Sequence, residues 1–325
     1  MKNKYRSMVL GMTIVLAGCT SVLDDPASAV KERKEIGVVL SDVGLGDQSF
    51  SDAAMGGMLL LREKDDWFVD YRELSETKTY EGGFEALAKE KPNVVVGLGF
   101  MGQQDLEKVA KKYPKQQFAI VDAVSDLPNV LSLTFSEDEG SYLAGAVAAL
   151  ESETKTIGFV GGMRSPLIEK FENGYRAGAK AIDPEIEVLV DYAEDFAAPE
   201  KGNQLANAQM KRKADVLYAA AGLTGSGVLQ AAEKKGHKAI GVDTDQTAIA
   251  PDAVMTSMLK QVDLAITEIA HQVEQEGLQG GHVTLGIKEG GIALAPIRNA
   301  EWTADENTRI EELKKDLLNG KAVIR

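Results

Sequence analysis

Residues 94–102 read VVVGLGFMG, and a second apolar stretch, FAIVD, follows at 118–122. Gly97, Gly99 and Gly102 spell G-x-G-x-x-G between an apolar strand and a helical stretch. Asp122 lies twenty residues beyond Gly102, where a ribose-binding acid belongs in a dinucleotide site. Two readings compete: a nicotinamide cofactor loop of a dehydrogenase, or a tight strand-to-helix turn within a longer βα series. A dinucleotide fingerprint occupies the first strand–helix turn of its domain, whereas this triplet follows the third strand candidate. His237, His271 and His282 offer no dehydrogenase pairing. The second reading is favoured, and a turn at the end of a parallel strand can still line a ligand cleft.

Outward from this stretch the chain alternates. Strand candidates IGVVLSD (36–42) and DWFVDYREL (66–74) precede it, with helical patterns at 51–64 and 80–91. QDLEKVAKKYP (104–114) is a helix ended by Pro114, and QFAIVDA and NVLSLTF are strands. After a helix at 139–152 the pattern restarts. Strands at 156–162, 186–193, 214–222 and 237–245 are separated by helices at 167–182, 206–213 and 227–236. VMTSMLK (254–260), a helix from 263, VTLGIKEGGIALAP (283–296) as a hairpin or paired strands, and a terminal helix from 304 complete the chain. Short Val/Ile-rich strands alternating with helices predict an α/β fold of parallel βαβ units in two similar halves, joined near 135–157.

The N-terminus reads as a targeting segment. Lys2, Lys4 and Arg6 precede the apolar run SMVLGMTIVLAG, which is shorter than the roughly 20 residues of a permanent span. Leu16-Ala17-Gly18-Cys19 resembles the lipobox of bacterial lipoproteins, which implies cleavage after residue 18 and lipid on Cys19. Residues 20–34 (TSVLDDPASAVKERK) read as a tether. Cys19 is the only cysteine, so no disulfide supports the fold. The net charge is −14, or −17 once the three bases of residues 1–18 are removed. Such a surface repels phosphate backbones and anionic lipid, so no nucleic-acid partner is expected and membrane contact falls to the lipid alone.

No motif for covalent or metal chemistry stands out. H-E-x-x-H, C-x-x-C and the phosphate-loop pattern are absent, and Ser165 in GGMRSPL is not in a nucleophile elbow. Asp243-Thr-Asp245 starts like a calcium loop but lacks the later glycine and glutamate. The expectation is a binding protein without cofactor or metal, not an enzyme. The informative residues lie at predicted strand ends, where open α/β sheets bind ligands. They are Asp42, Ser49 and Phe50 after the first strand, Asp122, Tyr218 and Gly222, Asp243, and Lys260. Carboxylates, aromatic faces, glycines and one ammonium suit a neutral, flat, hydroxyl-bearing ligand such as a nucleoside. Each position also has a structural alternative. Phe50 or Tyr218 can be core, Asp42 a helix N-terminal acid, Asp122 and Asp243 turn or cap residues, and Lys260 a solvated charge.

The motifs SDVGLGDQSF (41–50), VVVGLGF (94–100), FAIVDA (118–123), FSEDEGSYLAGAVAA (135–149), IGFVGGMRSPLIEKFENGYRAGAKA (157–181), AAAGLTGSGV (219–228), IGVDTDQ (240–246) and VMTSMLKQVD (254–263) together resemble the basic membrane protein family of the purine nucleoside receptor A type. The resemblance runs from Glu35 to the terminal helix. It implies a lipoprotein substrate-binding component of an ABC transporter, exported and anchored outside the cytoplasm. The implied fold is the type I periplasmic-binding-protein fold, with two Rossmann-like lobes and a multi-strand hinge. The implied partners are a nucleoside, a purine nucleoside first of all, and an ABC permease, with the receptor itself a monomer. By match, Phe50 and Tyr218 sandwich the base, Asp42 hydrogen-bonds it, and Asp122, Gly222, Asp243 and Lys260 hold the ribose, with Phe100 and Met101 lining the cleft.

The expected lobes are 35–135 plus about 261–279, and 157–248 plus about 281–325, with hinges near 135–157, 248–260 and 280. Gln48 and Ser51 depart from the family's D-D-K-S-F-N pattern, and Tyr218 stands where phenylalanine is common. These departures leave open the base preference and a sensing or regulatory role in place of transport.

Overall fold

The computed structural model describes residues 33–276, 280–300, 302–322 and 324. Residues 1–32, which include the expected signal, Cys19 and most of the expected tether, lie outside them. The chain from Lys34 onward forms one unit built on two six-stranded sheets.

The first sheet has the order β11-β5-β4-β3-β1-β2. Its strands are β1 (Glu35–Val39), β2 (Phe68–Arg72), β3 (Val94–Leu98), β4 (Phe118–Val121), β5 (Val130–Phe135) and β11 (Gly281–Leu285). Every pairing in it is parallel. Side-chain alternation sorts the apolar residues into two layers. Val38, Val94 and Val96 face helices α1 (Phe50–Lys64) and α9 (Val262–Glu276). Val39 and Val95 face α3 (Tyr80–Glu90), which follows the single turn α2 (Leu74–Thr77), and α4 (Gln103–Lys112). Burial on both faces is why these strands read as continuous Val/Ile runs.

The second sheet repeats the plan as β12-β10-β9-β8-β6-β7. The strands are β6 (Thr156–Gly161), β7 (Glu187–Tyr192), β8 (Val216–Ala220), β9 (Lys238–Asp243), β10 (Val254–Lys260) and β12 (Ile292–Leu294). Helices α5 (Glu137–Glu151) and α6 (Pro166–Ile182) cover one face, and α7 (Pro199–Lys211) and α8 (Leu223–Lys235) the other. Only β12 runs antiparallel to its neighbour. α6 starts on a Ser165 cap that accepts the Ile168 N–H, with Pro166 at its first position. The last helix, α10 (Ala304–Leu318), opens with a Thr303/Glu306 capping box.

Three chain crossings join the sheets, between β5 and α5, β10 and α9, and β11 and β12. They differ from the expected boundaries in three ways. α5 belongs wholly to the second lobe, because it crosses α6 at near-backbone distance: a Cβ at Gly178 would lie 1.7 Å from the Tyr142 carbonyl oxygen. β10 is an inner strand of the second sheet rather than a hinge. Residues 283–296 form no hairpin, because β11 completes the first sheet while β12 completes the second. Here the alternation of apolar residues is the same for either partner, so pattern alone does not choose the sheet.

Candidate functional site

The strand ends of the two sheets face each other across a cavity lined by both. The first lobe contributes Ser41, Asp42 and Asp47 from the loop after β1, Phe50 from the start of α1, Gly99, Phe100 and Met101 from the turn after β3, and Asp122 after β4. The second lobe contributes Phe196 after β7, Gly222 after β8, Asp243 from β9, Lys260 from β10, and Ile168 and Phe171 from α6.

The lobes use matching devices. Asp122 follows β4 with φ 68°, and Asp243 ends β9 with φ 65°. The two strands hold equivalent positions in the two sheets. Left-handed backbone at a non-glycine residue is uncommon, and Asp is among the side chains that tolerate it. Each carboxylate is thereby turned off the strand direction toward the cleft. Gly99 (φ 88°) and Gly222 (φ 54°) make the equivalent turns after β3 and β8.

Electrostatically, the site centres on Lys260. Its Nζ lies 2.5 Å from Asp122 Oδ2 and 3.2 Å from Glu137 Oε1. The rings of Phe135, Phe50 and Phe171 surround it at 5.0, 5.2 and 5.7 Å. Burial opposes the ammonium charge, but Asp122, Glu137 and Asp243 outweigh it and hold the pKa above the ordinary lysine value. Burial also pushes Asp122 upward, against the pull of Lys260, and pushes Asp243 upward in the same way. A protonated lysine 2.5 Å away keeps the Asp122 pair ionised at neutral pH. The second Asp122 oxygen, Oδ1, is buried without a hydrogen-bond partner. An acceptor of this kind is costly to leave unmade and awaits a donor.

Asp42 is raised first by burial, and Asp195 adds like-charge repulsion. Asp47 is raised to about 6 by burial, although it accepts the Ser49, Ser51 and Asp52 backbone N–H groups at the start of α1. Lys260 is the one cation among the described lining residues, against Asp42, Asp47, Asp122 and Asp243. The cavity therefore favours donors such as hydroxyls and ring N–H groups, and disfavours phosphate. No cluster of three His, Cys, Asp or Glu side chains suited to a metal occurs among the described residues.

Of the residues named from sequence, Asp42, Phe50, Phe100, Met101, Asp122, Gly222, Asp243 and Lys260 line the cavity. Two do not. Ser49 is fully buried and donates to Asp243 Oδ2 from the opposite lobe, so it acts behind the wall. Tyr218 is core: it is fully buried, 3.1 Å from Ser141 Oγ, with ring centroids 5.1 Å from Tyr175 and 5.7 Å from Phe159. It lies two residues before the end of β8, on the face covered by α5 and α6, and only Ala220 to Gly222 reach the cleft. Phe196, after β7, does line the cavity, and its ring meets Phe100 edge-on at 6.5 Å across the cleft. The signal for Phe196 was a lone aromatic in the polar stretch AEDFAAPE after a predicted strand. Glu137 gave no signal beyond its place at a crossing.

Gly97, Gly99 and Gly102 serve the third-strand turn. A Cβ at Gly97 would lie 2.9 Å from both Leu106 and Phe84, so close packing of α3 and α4 on β3 requires its absence.

A family model described as "Bmp: ABC transporter substrate-binding protein PnrA-like" matches residues 34–323. The chain belongs to this family. A relative, the CD4+ T-cell-stimulating antigen of Listeria innocua, is 32% identical, with 97% of this chain and 95% of that protein covered. The ABC transporter nucleoside-binding protein BmpA of Lactococcus lactis subsp. cremoris is 31% identical, with 98% and 97% covered. A solved solute-binding protein of an ABC transporter system from Aeropyrum pernix superposes with a TM-score of 0.81 at 26% identity, over 89% of this chain and 92% of that one. The Bmp-family architecture seen here is the type I periplasmic-binding fold, and the protein is a substrate-binding component of an ABC transporter.

Proposed function

We propose that this substrate-binding protein captures a nucleoside, a purine nucleoside first of all, by closing its two lobes about the hinge crossings, and delivers it to a permease without chemical change. The observation that carries the reading is the buried, unpartnered Asp122 Oδ1 beside an ionised Lys260 in a cavity with aromatic rings from both lobes. Ribose hydroxyls donate to Asp122 and Asp243 and accept from Lys260, while the base lies between Phe50 and Phe196 with Asp42 at its edge. Stacking contributes roughly 1–3 kcal/mol per aromatic partner, and charge-assisted hydrogen bonds supply the rest of a micromolar affinity, about −8 kcal/mol. The nucleoside-binding name of the Lactococcus relative points the same way.

The test is calorimetric titration of the chain from Thr20, unfolded and refolded to strip carried-over ligand, against guanosine, inosine, adenosine, cytidine, uridine, GMP and NADH. Micromolar binding of a purine nucleoside with GMP and NADH silent supports the proposal. Silence from every nucleoside sinks it.

Lipid on Cys19 would hold the receptor at the outer face of the cell membrane. No helix among the described residues is long and apolar enough to cross a membrane. Cys19→Ser is expected to move the protein from the membrane fraction to the soluble exported fraction, and retention by the membrane would overturn the anchor.

A further inference from the structure

The lobes also meet behind the cavity wall. Gln48, in the loop before α1, has φ 53° and presents its carbonyl oxygen to the second lobe. That oxygen accepts from Thr244 Oγ1 at 3.1 Å and from Gln246 Nε2 at 3.0 Å. Both sides are braced. Asp52 accepts the N–H groups of Gly46 at 2.8 Å and Gln48 at 2.9 Å, which fixes the carbonyl. Gln246 is buried; its Oε1 accepts the Val242 N–H at 3.0 Å, and its own N–H donates to Ser257 Oγ at 3.0 Å. With the amide oxygen so engaged, only the amide nitrogen is left to face the first lobe.

We infer that Gln246 and Thr244 form a latch on the Gln48 carbonyl that sets how long the cleft stays closed on its ligand. Neither residue lines the cavity, so both are positioning residues. The inference rests on the reading of the cleft as one that closes about a nucleoside. Bonds between lobes exist only in the closed form, and in an open form water satisfies the same groups. Their loss therefore speeds release and leaves capture little changed. Because the acceptor is a backbone carbonyl, the latch does not depend on the side chain at position 48, where this chain departs from its family.

The experiment is stopped-flow capture and release of the best-bound nucleoside by the chain from Thr20, which contains the whole unit described above. Gln246→Glu keeps the acceptor for Val242 and sets an oxygen against the Gln48 carbonyl. Thr244→Val removes only the hydroxyl. Release is expected to rise about tenfold in Gln246→Glu and about threefold in Thr244→Val, with capture within about twofold of wild type. Unchanged release in Thr244→Val with a correctly folded protein, or in both variants, overturns the latch. A wild type that captures no nucleoside rejects the ligand assignment alone. The latch is then read by small-angle scattering of ligand-free protein, where both variants must be more expanded than wild type and identical profiles overturn it.

Discussion

Lys260 Nζ and Asp122 Oδ2 stand 2.5 Å apart, with the lysine on an inner strand of the second sheet and the aspartate at a strand end of the first. The pair crosses the cleft and is almost wholly shielded from water. Removing one partner of a buried ion pair leaves the other uncompensated, at a cost of about 3–5 kcal/mol. Lys260→Met leaves Asp122, Glu137 and Asp243 without their counter-ion and is expected to lose about 3 kcal/mol in urea unfolding. Asp122→Ala removes the unpartnered acceptor as well, and nucleoside affinity should fall at least about a hundredfold. Normal binding by an Asp122→Ala, Asp243→Ala double variant would remove the site assignment.

The aromatic residues separate a ligand role from a core role. Phe196→Ala is expected to weaken nucleoside binding by about tenfold or more, the effect of one lost stack. Tyr218→Phe loses only the contact to Ser141, so affinity should stay within about twofold while stability falls by about 1 kcal/mol. The opposite ranking in calorimetry would return Tyr218 to the site.

Neighbouring glycines in α1 should respond in opposite directions. A Cβ at Gly56 meets nothing within 4 Å, whereas one at Gly57 would lie 2.6 Å from the Asp263 carbonyl oxygen of α9. Gly56→Ala is expected to raise stability by about 0.5–1 kcal/mol. Gly57→Ala must push α9 off α1 and should lower stability by about 2 kcal/mol or more. Thermal unfolding of the two variants checks whether α9 returns to the first lobe as described.

Asp47 gives a pH signature. Burial raises its folded value to about 6 from 3.8, so the folded chain holds this proton where the unfolded chain has released it. The contribution to stability is fully present below about pH 4 and is lost as the pH rises through about 6. The amide resonances of Ser49, Ser51 and Asp52, which donate to this carboxyl, should titrate together with a midpoint near 6. A midpoint at the ordinary aspartate value rejects the assignment.

The sequence by itself determined the α/β alternation, the two parallel-sheet halves, and the strand ends as the place to look for a ligand. Those features follow from local periodicity: Val94 to Leu98 reads as a doubly buried strand wherever it is placed, and an Asp at a strand end faces a cleft if one exists. Only the tertiary structure decided what depends on which neighbour a residue meets. Tyr218 and Phe196 are both aromatic and both near strand ends, yet two residues of strand length put one in the core and a loop put the other in the cavity. β11 and β12 are both short strands close together in the chain, and the crossing between them sends each to a different sheet. Ser49 reads as a ligand residue because it lies after the first strand, and is a lobe-to-lobe contact because Asp243, nearly two hundred residues later, folds onto it. Local pattern fixes the element and the face; partners distant in the chain are set by packing, which no short stretch contains.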